Sequence, residues 1–221
     1  MTRFFNKENY NIVNNNQTAY ISLGSYCLTS MLLKENNMKN ESYPFDWIVS
    51  CIENINHILN DNFNEFMDIN NLSRIKSKTK NNYYFKKTLN MFPDILCDIQ
   101  HHNLFNKQDY DYFNRCIQRF KTLNKRFGKK IFIMIQPLYL TNAQIDYDMI
   151  NELFSYLKIH FTNMKLIIFN ILKKHNKVFK TAILEENLLI VELDTKMVVG
   201  NYGMMYFDTD GIKKFLEIIS E

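Results

Sequence analysis

The sequence has only four cysteines, and no C-x-x-C spacing occurs among them. The four are Cys27, Cys51, Cys97 and Cys116. Disulfide scaffolds and structural zinc sites depend on closely grouped cysteines, so neither is expected. The adjacent His101 and His102 point to opposite faces of an extended segment, and no other His, Asp or Glu spacing predicts a metal site. We therefore expect free thiols in a reducing, cytoplasmic environment and no bound metal.

Long apolar segments, phosphate-binding loops and concentrated charge are also missing. No apolar run approaches the ~18 residues of a membrane span, and no signal peptide is recognisable at the N-terminus. The glycine-rich patterns G-x-G-x-x-G and G-x-x-x-x-G-K do not occur, which disfavours a nucleotide cofactor. The net charge is only +4, and the lysines and arginines are scattered. We therefore expect no cofactor, no nucleic acid and no membrane partner, and the oligomeric state stays open.

What the sequence does contain is a series of continuous Ile, Leu, Val and Phe runs that alternate with amphipathic segments. Such runs are typical of parallel strands that helices cover on both faces. The predicted strands cover 18–24, 129–137, 165–172 and 188–194, and the predicted helices cover 27–37, 48–67, 107–128, 143–161 and 209–220. The sequence therefore predicts an α/β fold with three layers, a mostly parallel central sheet and helices on both faces.

Two segments depart from this alternation. Residues 1–17 are polar and predict an irregular leader, which leaves a single α/β domain at 18–221. The stretch at about 42–105 predicts a partly irregular insertion, with short strands or irregular structure around 82–86 and 95–101. A chain that is 46% hydrophobic can bury one sizeable core, so a second domain is not needed.

Polar residues follow the ends of four predicted strands. They are Gly24 and Ser25 after the first strand, then Gln136, Asn170 and Asp194. In open α/β sheets ligands bind beyond the carboxyl ends of the strands, so these residues are expected at one edge. A strand end that meets solvent would carry the same residue types, and only their convergence favours a binding site.

Cys27 lies just after the first strand, at the start of a predicted helix. The unpaired N–H groups and partial positive charge of a helix N-terminus stabilise a thiolate, so a lowered pKa is expected. Gly24 permits a tight turn, and the N–H groups that follow it could form an oxyanion hole. The alternative interpretation is a small buried thiol without chemistry.

Three motifs together resemble a known family. The stretch "ISLGSYC" at 21–27 is followed by "SYPFDWI" at 42–48 and by "QHHNLFNKQDYDYFNRCIQRF" at 100–120. This combination resembles the family of papain-like cysteine peptidases of unknown function, whose members occur in bacteria and large DNA viruses. The similarity runs from about residue 19 to about residue 137 and more weakly to the end. The residues that match the S-L-G-x-x-C and Y-P-F-D-W patterns are Ser22, Leu23, Gly24, Cys27, Pro44, Phe45, Asp46 and Trp47.

The resemblance implies a cysteine-nucleophile hydrolase, either a papain-like peptidase or a related acyl hydrolase or transferase. It implies that Cys27 is the nucleophile and that a histidine of the third motif is the general base, with His102 favoured over His101. The family's usual His-Asp is here His102-Asn103. A base of this kind needs a group that orients its ring, and the candidates are Asp46, Asn103 and Asp194. From the motifs and strand ends, the predicted substrate-binding residues are Gly24, Ser25, Tyr26, Trp47, Gln136 and Asn170.

The substrate stays open among peptide, acyl and glycan-linked compounds, and a viral member would act in the cytoplasm of its host. One alternative is a non-catalytic module on the same scaffold that binds a glycan, a peptide or a small metabolite. A thiol variant of the SGNH esterases is a weaker alternative. It needs an Asp-x-x-His near the C-terminus, and "YFDTDGIKKF" contains no histidine.

Overall fold

The computed structural model describes residues 17–76, 78–85, 98–136, 145–171, 179–193, 197–199 and 205–220. Cys97, Asp194 and nearly all of the predicted leader lie outside these ranges. Within them the chain forms a central sheet with helices on both faces, which confirms the predicted α/β class.

The central sheet consists of four parallel strands and one antiparallel edge strand, in the order β1-β4-β5-β7-β6. Strand β6 pairs antiparallel with β7, and the other pairings are parallel. Two small antiparallel pairs, β2–β3 and β8–β9, lie outside this sheet. In chain order the strands are β1 Thr18–Ser22, β2 Leu72–Ile75, β3 Lys78–Asn81, β4 Lys129–Gln136, β5 Met164–Ile171, β6 Phe179–Glu185, β7 Leu188–Leu193, β8 Met197–Val199 and β9 Met205–Phe207.

Helices bury the apolar residues on both faces of the sheet. They are α1 Leu28–Glu35, α2 Ile52–Asn60, α3 Asn64–Met67, α4 Lys107–Lys121, α5 Leu123–Arg126, α6 Tyr147–His160 and α7 Thr209–Ser220. Because side chains alternate along a strand, Phe132 of β4 joins the core under α2, α4 and α6. Its neighbour Ile133 joins the core under α1 and α7. None of the described helices is long and apolar enough to cross a membrane.

The predicted helix at 48–67 is wrong at its start. Helix α2 begins only at Ile52, because Ile48 forms an antiparallel bridge with Ile99. A turn with positive φ at Asn62 and Phe63 then separates α2 from α3. The region around 82–86 also differs, since a helical turn at 82–85 follows the β2–β3 pair.

The segment at 48–50 connects the three sequence motifs. The Val49 N–H donates a 2.7 Å hydrogen bond to the Asp98 carbonyl, just before the histidine pair. The Ser50 N–H donates another 2.7 Å bond to the Ser25 carbonyl, just before Cys27. Residues that are far apart in the chain are thereby held at the carboxyl edge of the sheet.

Candidate active site

The turn between β1 and α1 places Cys27 at the start of a helix. Gly24 has φ +93, a left-handed conformation that favours glycine, and its carbonyl accepts a 3.1 Å hydrogen bond from the Thr29 hydroxyl. Cys27 is the N-cap residue of α1, and its carbonyl accepts the Met31 N–H at 2.9 Å. The predicted strand, glycine turn and helix are therefore confirmed. The thiol is half-buried, and Tyr26 beside it is also partly covered.

The pKa of Cys27 differs from the sequence expectation. Burial raises the pKa of this thiol, and a backbone hydrogen bond lowers it only in part. The expected lowering of the Cys27 pKa by the helix N-terminus was therefore wrong. The free-energy cost of removing the thiolate from water exceeds its stabilisation by the helix N-terminus. The resting group is a neutral thiol near pH 7, so chemistry at this sulfur needs a base.

A buried ion pair joins the second motif to α1. Lys39 Nζ lies 2.5 Å from Asp46 Oδ2, and the Tyr43 N–H donates a 2.6 Å bond to the same oxygen. Lys39 also donates to the Ser30 hydroxyl of α1 and lies 5.1 Å from the Trp47 ring centroid. Burial raises the pKa of Asp46, although Lys39 opposes the rise, and burial lowers the pKa of Lys39. Asp46 therefore contacts a lysine here, whereas the sequence suggested an imidazole.

This lysine brings all three motifs together. Ser30 follows Cys27 by three residues, so their side chains share one face of α1, with about 5–6 Å between Cβ atoms. Trp47, which packs under Lys39, meets the edge of the His101 ring at 5.7 Å between centroids. Burial lowers the pKa of His101, and the charges of Lys78 and His102 lower it further. The histidine segment is thus connected to the Cys27 helix through one tryptophan and one lysine.

His102 has the carboxylate partner that a general base requires. Its Nδ1 lies 3.0 Å from Asp109 Oδ1, and the other Asp109 oxygen accepts the Asn103 N–H at 2.7 Å. The imidazole stacks on Tyr112 at 4.7 Å and meets the edge of Phe113 at 5.3 Å. If Nδ1 carries the proton toward the carboxylate, Nε2 is left as the acceptor.

Asp109 is the site residue that the sequence interpretation missed. It lies in the first turn of α4, three residues after the N-cap Asn106. Burial raises the pKa of Asp109, but the bonds from Asn103 and His102 outweigh burial and leave it lowered. The available signal was an acidic residue in the first turn of a predicted helix that begins just after the histidines.

The predicted strand-end residues form a second group. Gln136 of β4 pairs in register with Asn170 of β5, and both are buried. Their side chains lie on the face that α2 and α6 cover, whereas α1 packs on the opposite face. The prediction for Asp194 lies outside the described residues.

The other described cysteines differ from Cys27 in exposure. Cys51 and Cys116 are buried and form no disulfide with the other described cysteines, and burial raises the pKa of Cys116 to about 11. Among the described residues, no group of three or more His, Cys, Asp or Glu side chains could hold a metal ion. Cys27 is thus the most accessible thiol in the described part of the chain.

Comparisons with known proteins agree with the motifs. Residues 18–208 match the family model described as "Putative papain-like cysteine peptidase (DUF1796)". A stretch of 66 residues is 39% identical to an uncharacterized protein of Acanthamoeba polyphaga mimivirus. That stretch is 29% of this chain and spans 30% of the viral protein's length. No solved structure matches the chain.

Proposed function

This chain belongs to the papain-like cysteine peptidase family, and we propose that it is a cysteine hydrolase with Cys27 as nucleophile and His102 as general base. The observation that carries this choice of base is the 3.0 Å contact between His102 Nδ1 and Asp109. A carboxylate in this position fixes the ring orientation and the tautomer, and it stabilises the imidazolium that forms. His101 packs edge-on against Trp47, and its described contacts include no carboxylate.

The proposed reaction begins from a neutral thiol, because burial raises the Cys27 pKa. His102 Nε2 takes the thiol proton while Sγ attacks the carbonyl carbon of the substrate. The imidazolium then returns this proton to the leaving group as the bond between carbon and leaving group breaks. A water molecule, deprotonated by the same imidazole, hydrolyses the thioester and regenerates the thiol.

The N–H groups at the start of α1 are the proposed donors to the oxyanion. The first N–H groups of a helix have no partner within the helix, and those of α1 follow Cys27 directly. Donors aimed at the developing negative charge are a major source of rate enhancement in acyl transfer.

The competing function is a binding module in which Cys27 is only a packed thiol. The raised pKa of Cys27 favours this alternative, because catalytic cysteines commonly have a lowered pKa. The two functions differ in one property, which is whether the reactivity of Cys27 depends on a histidine.

The experiment measures the iodoacetamide labelling rate of each cysteine by mass spectrometry from pH 5 to pH 9. We expect His102→Ala to slow the labelling of Cys27 at least tenfold near pH 7, since a positioned base contributes about 10²–10⁴-fold. His160→Ala, which removes a histidine at the end of α6, is the matched control and should change nothing. Labelling that is unchanged in His102→Ala contradicts the proposed base, and a loss confined to His101→Ala transfers the role to His101.

Hydrolysis provides a second readout. Peptide and ester substrates are offered to the wild type and to Cys27→Ser, and the variant should lose activity toward every substrate that the wild type cleaves. Wild-type protein that cleaves none of them, combined with Cys27 labelling that is independent of both His101 and His102, would contradict the hydrolase and favour the binding module.

A further inference from the structure

A row of polar side chains crosses the carboxyl edge of the sheet. Gln136 of β4 is in register with Asn170 of β5, which is in register with Glu192 of β7. Two residues earlier on each strand, the same face carries Met134, Ile168 and Ile190 in the apolar core. The sheet face therefore changes from apolar to polar at one level, close to the strand ends.

Asn170 is the exceptional member of this row. Its side chain is 0% exposed, and neither its amide nitrogen nor its amide oxygen has a hydrogen-bond partner in the described part of the chain. Gln136, which is 4% exposed, has only the weak acceptor Met134 Sδ at 3.5 Å for its amide nitrogen among the described residues. Buried polar atoms are nearly always paired, so an amide with both atoms unpaired requires an explanation.

The same edge carries a third unpaired group on the chain that leads to Cys27. The Ser25 hydroxyl oxygen is buried and has no hydrogen-bond partner within the described ranges, although the Ser25 carbonyl accepts the Ser50 N–H. Ser25 follows Leu23, whose N–H still donates to the Ile133 carbonyl of β4 at 2.8 Å. Unpaired polar atoms therefore occur on two elements at the carboxyl edge of the sheet, and one of these elements leads to Cys27.

We infer that Asn170, supported by Gln136, binds an amide group of the substrate. A carboxamide side chain presents one acceptor oxygen and an adjacent donor nitrogen, which match the N–H and C=O of another amide. An ester supplies the C=O but no N–H, so it would leave the Asn170 oxygen unpaired. The inference rests on the proposed function, because the bound amide is a substrate only if the protein is a hydrolase. It makes that hydrolase selective for peptides or carboxamides over esters.

The experiment measures binding without catalysis, in the Cys27→Ser variant, by ligand-observed NMR titration. The probes are N-methylpropionamide, a secondary amide like the peptide backbone, propionamide, a primary amide like an Asn or Gln side chain, and methyl propionate, the matched ester without an N–H. We expect one of the amides to bind at least tenfold more tightly than the ester, since the ester leaves the buried Asn170 oxygen unpaired and one such unpaired acceptor costs about that factor. The amide that binds more tightly identifies the backbone or the side chain as the source of the group.

Asn170→Leu should remove the preference for the amide, and Asn151→Leu, at an exposed position on α6, should keep it. Gln136→Leu is the second variant, and it should weaken amide binding if Asn170→Leu fails to fold. Equal binding of amides and ester, or a preference that survives both Asn170→Leu and Gln136→Leu, overturns the inference. Neither outcome affects the dependence of Cys27 labelling on His102, so failure here is distinct from failure of the proposed hydrolase.

Discussion

Two pairs of buried polar side chains near the sheet edge differ in how completely they are satisfied. In the first pair, Asp46 Oδ2 contacts Lys39 at 2.5 Å and the Tyr43 N–H at 2.6 Å, while Asp46 Oδ1 has no hydrogen-bond partner among the described residues. In the second pair, Asn170 is buried as deeply, yet both of its amide atoms lack a partner among the residues that the structure describes. The partner of Asn170 in the second pair is Gln136. The sequence predicted Asp46, Asn170 and Gln136 for the same site, and Lys39 is the residue that Asp46 contacts in the structure.

The difference separates a structural role from a binding role. A carboxylate whose one oxygen is bound by a neighbouring lysine and a backbone N–H holds two chain segments together. An unpaired buried amide destabilises the free protein and gains its hydrogen bonds only when something binds. Asp46, which the motif favoured as a catalytic group, thus contributes through Lys39 to a brace between α1 and the Trp47 turn, whereas Asn170 is the group that we propose for recognition.

The largest predicted effect comes from breaking the first pair. Lys39→Met leaves the Asp46 carboxylate buried without its cation, and such a loss costs about 3–5 kcal/mol of unfolding free energy. Urea unfolding at pH 7 measures it. Lys107→Met is the control, because Lys107 forms an equally short 2.6 Å pair with Asp111 on the exposed surface of α4. The control should lose no more than about 0.5 kcal/mol, and equal losses in the two variants would mean that the Lys39 pair is not a brace.

A second prediction concerns Asp98, a buried carboxyl beside the histidine segment. Burial raises the pKa of Asp98 from 3.8 to about 7, although backbone hydrogen bonds, including one from the Asn81 N–H, oppose the rise. The folded state therefore binds a proton that the unfolded state releases between these values. The resulting stabilisation is fully present below about pH 4 and is lost as the pH rises through about 7.

Asp98→Asn should remove this pH dependence. The wild type should lose about 2–3 kcal/mol of unfolding free energy between pH 5 and pH 8 through this one group, and the variant should not. Thermal or urea unfolding at several pH values provides the comparison, with Asp148→Asn, an exposed carboxylate on α6, as the matched control. Parallel pH curves for the wild type and Asp98→Asn would show that Asp98 is ionised throughout this range.

The second pair predicts an effect of opposite sign and smaller size. Asn170→Leu removes an unpaired amide and fills nearly the same volume, so the unfolding free energy should stay constant or rise by up to about 2 kcal/mol. Asn81→Leu is a matched control, since Asn81 is also fully buried. Its amide donates to the Glu65 carbonyl and accepts the Tyr83 N–H, both at 3.0 Å. The control should be destabilised, and a similar loss in Asn170→Leu would mean that the amide of Asn170 is satisfied after all.

Local sequence patterns correctly predicted those helices and strands whose positions depend on residues close together in the chain. The apolar run before Gly24 and the helix after Cys27 were predicted correctly, and α7 has the predicted bounds at 209–220. The start of α2 was not predictable in this way. Ile48 fits a helical pattern, but its partner Ile99 is a residue about fifty positions away.

The candidate site could be predicted only as far as its motifs. Their residue types made Cys27 and the histidine pair candidates, and in the structure Trp47 contacts both Lys39 and His101. The two partners that define the chemistry, Lys39 for Asp46 and Asp109 for His102, were missed because each depends on how a turn or helix packs. The pKa of Cys27 was mispredicted for the same reason, since burial depends on the whole fold.

The smallest predicted effect comes from a third polar pair, which is only partly buried. Arg126 donates two hydrogen bonds to Glu41, at 2.6 and 2.7 Å, just before the Trp47 turn. Arg126→Lys keeps the charge but loses the fork geometry, so the unfolding free energy should fall by about 1 kcal/mol. Arg115→Lys at an exposed position on α4 is the control and should have no effect. Because the pair is partly shielded from solvent, the loss of unfolding free energy should persist in 1 M salt. If the loss disappears in 1 M salt, this pair behaves like the exposed Lys107–Asp111 pair and unlike the Lys39–Asp46 brace.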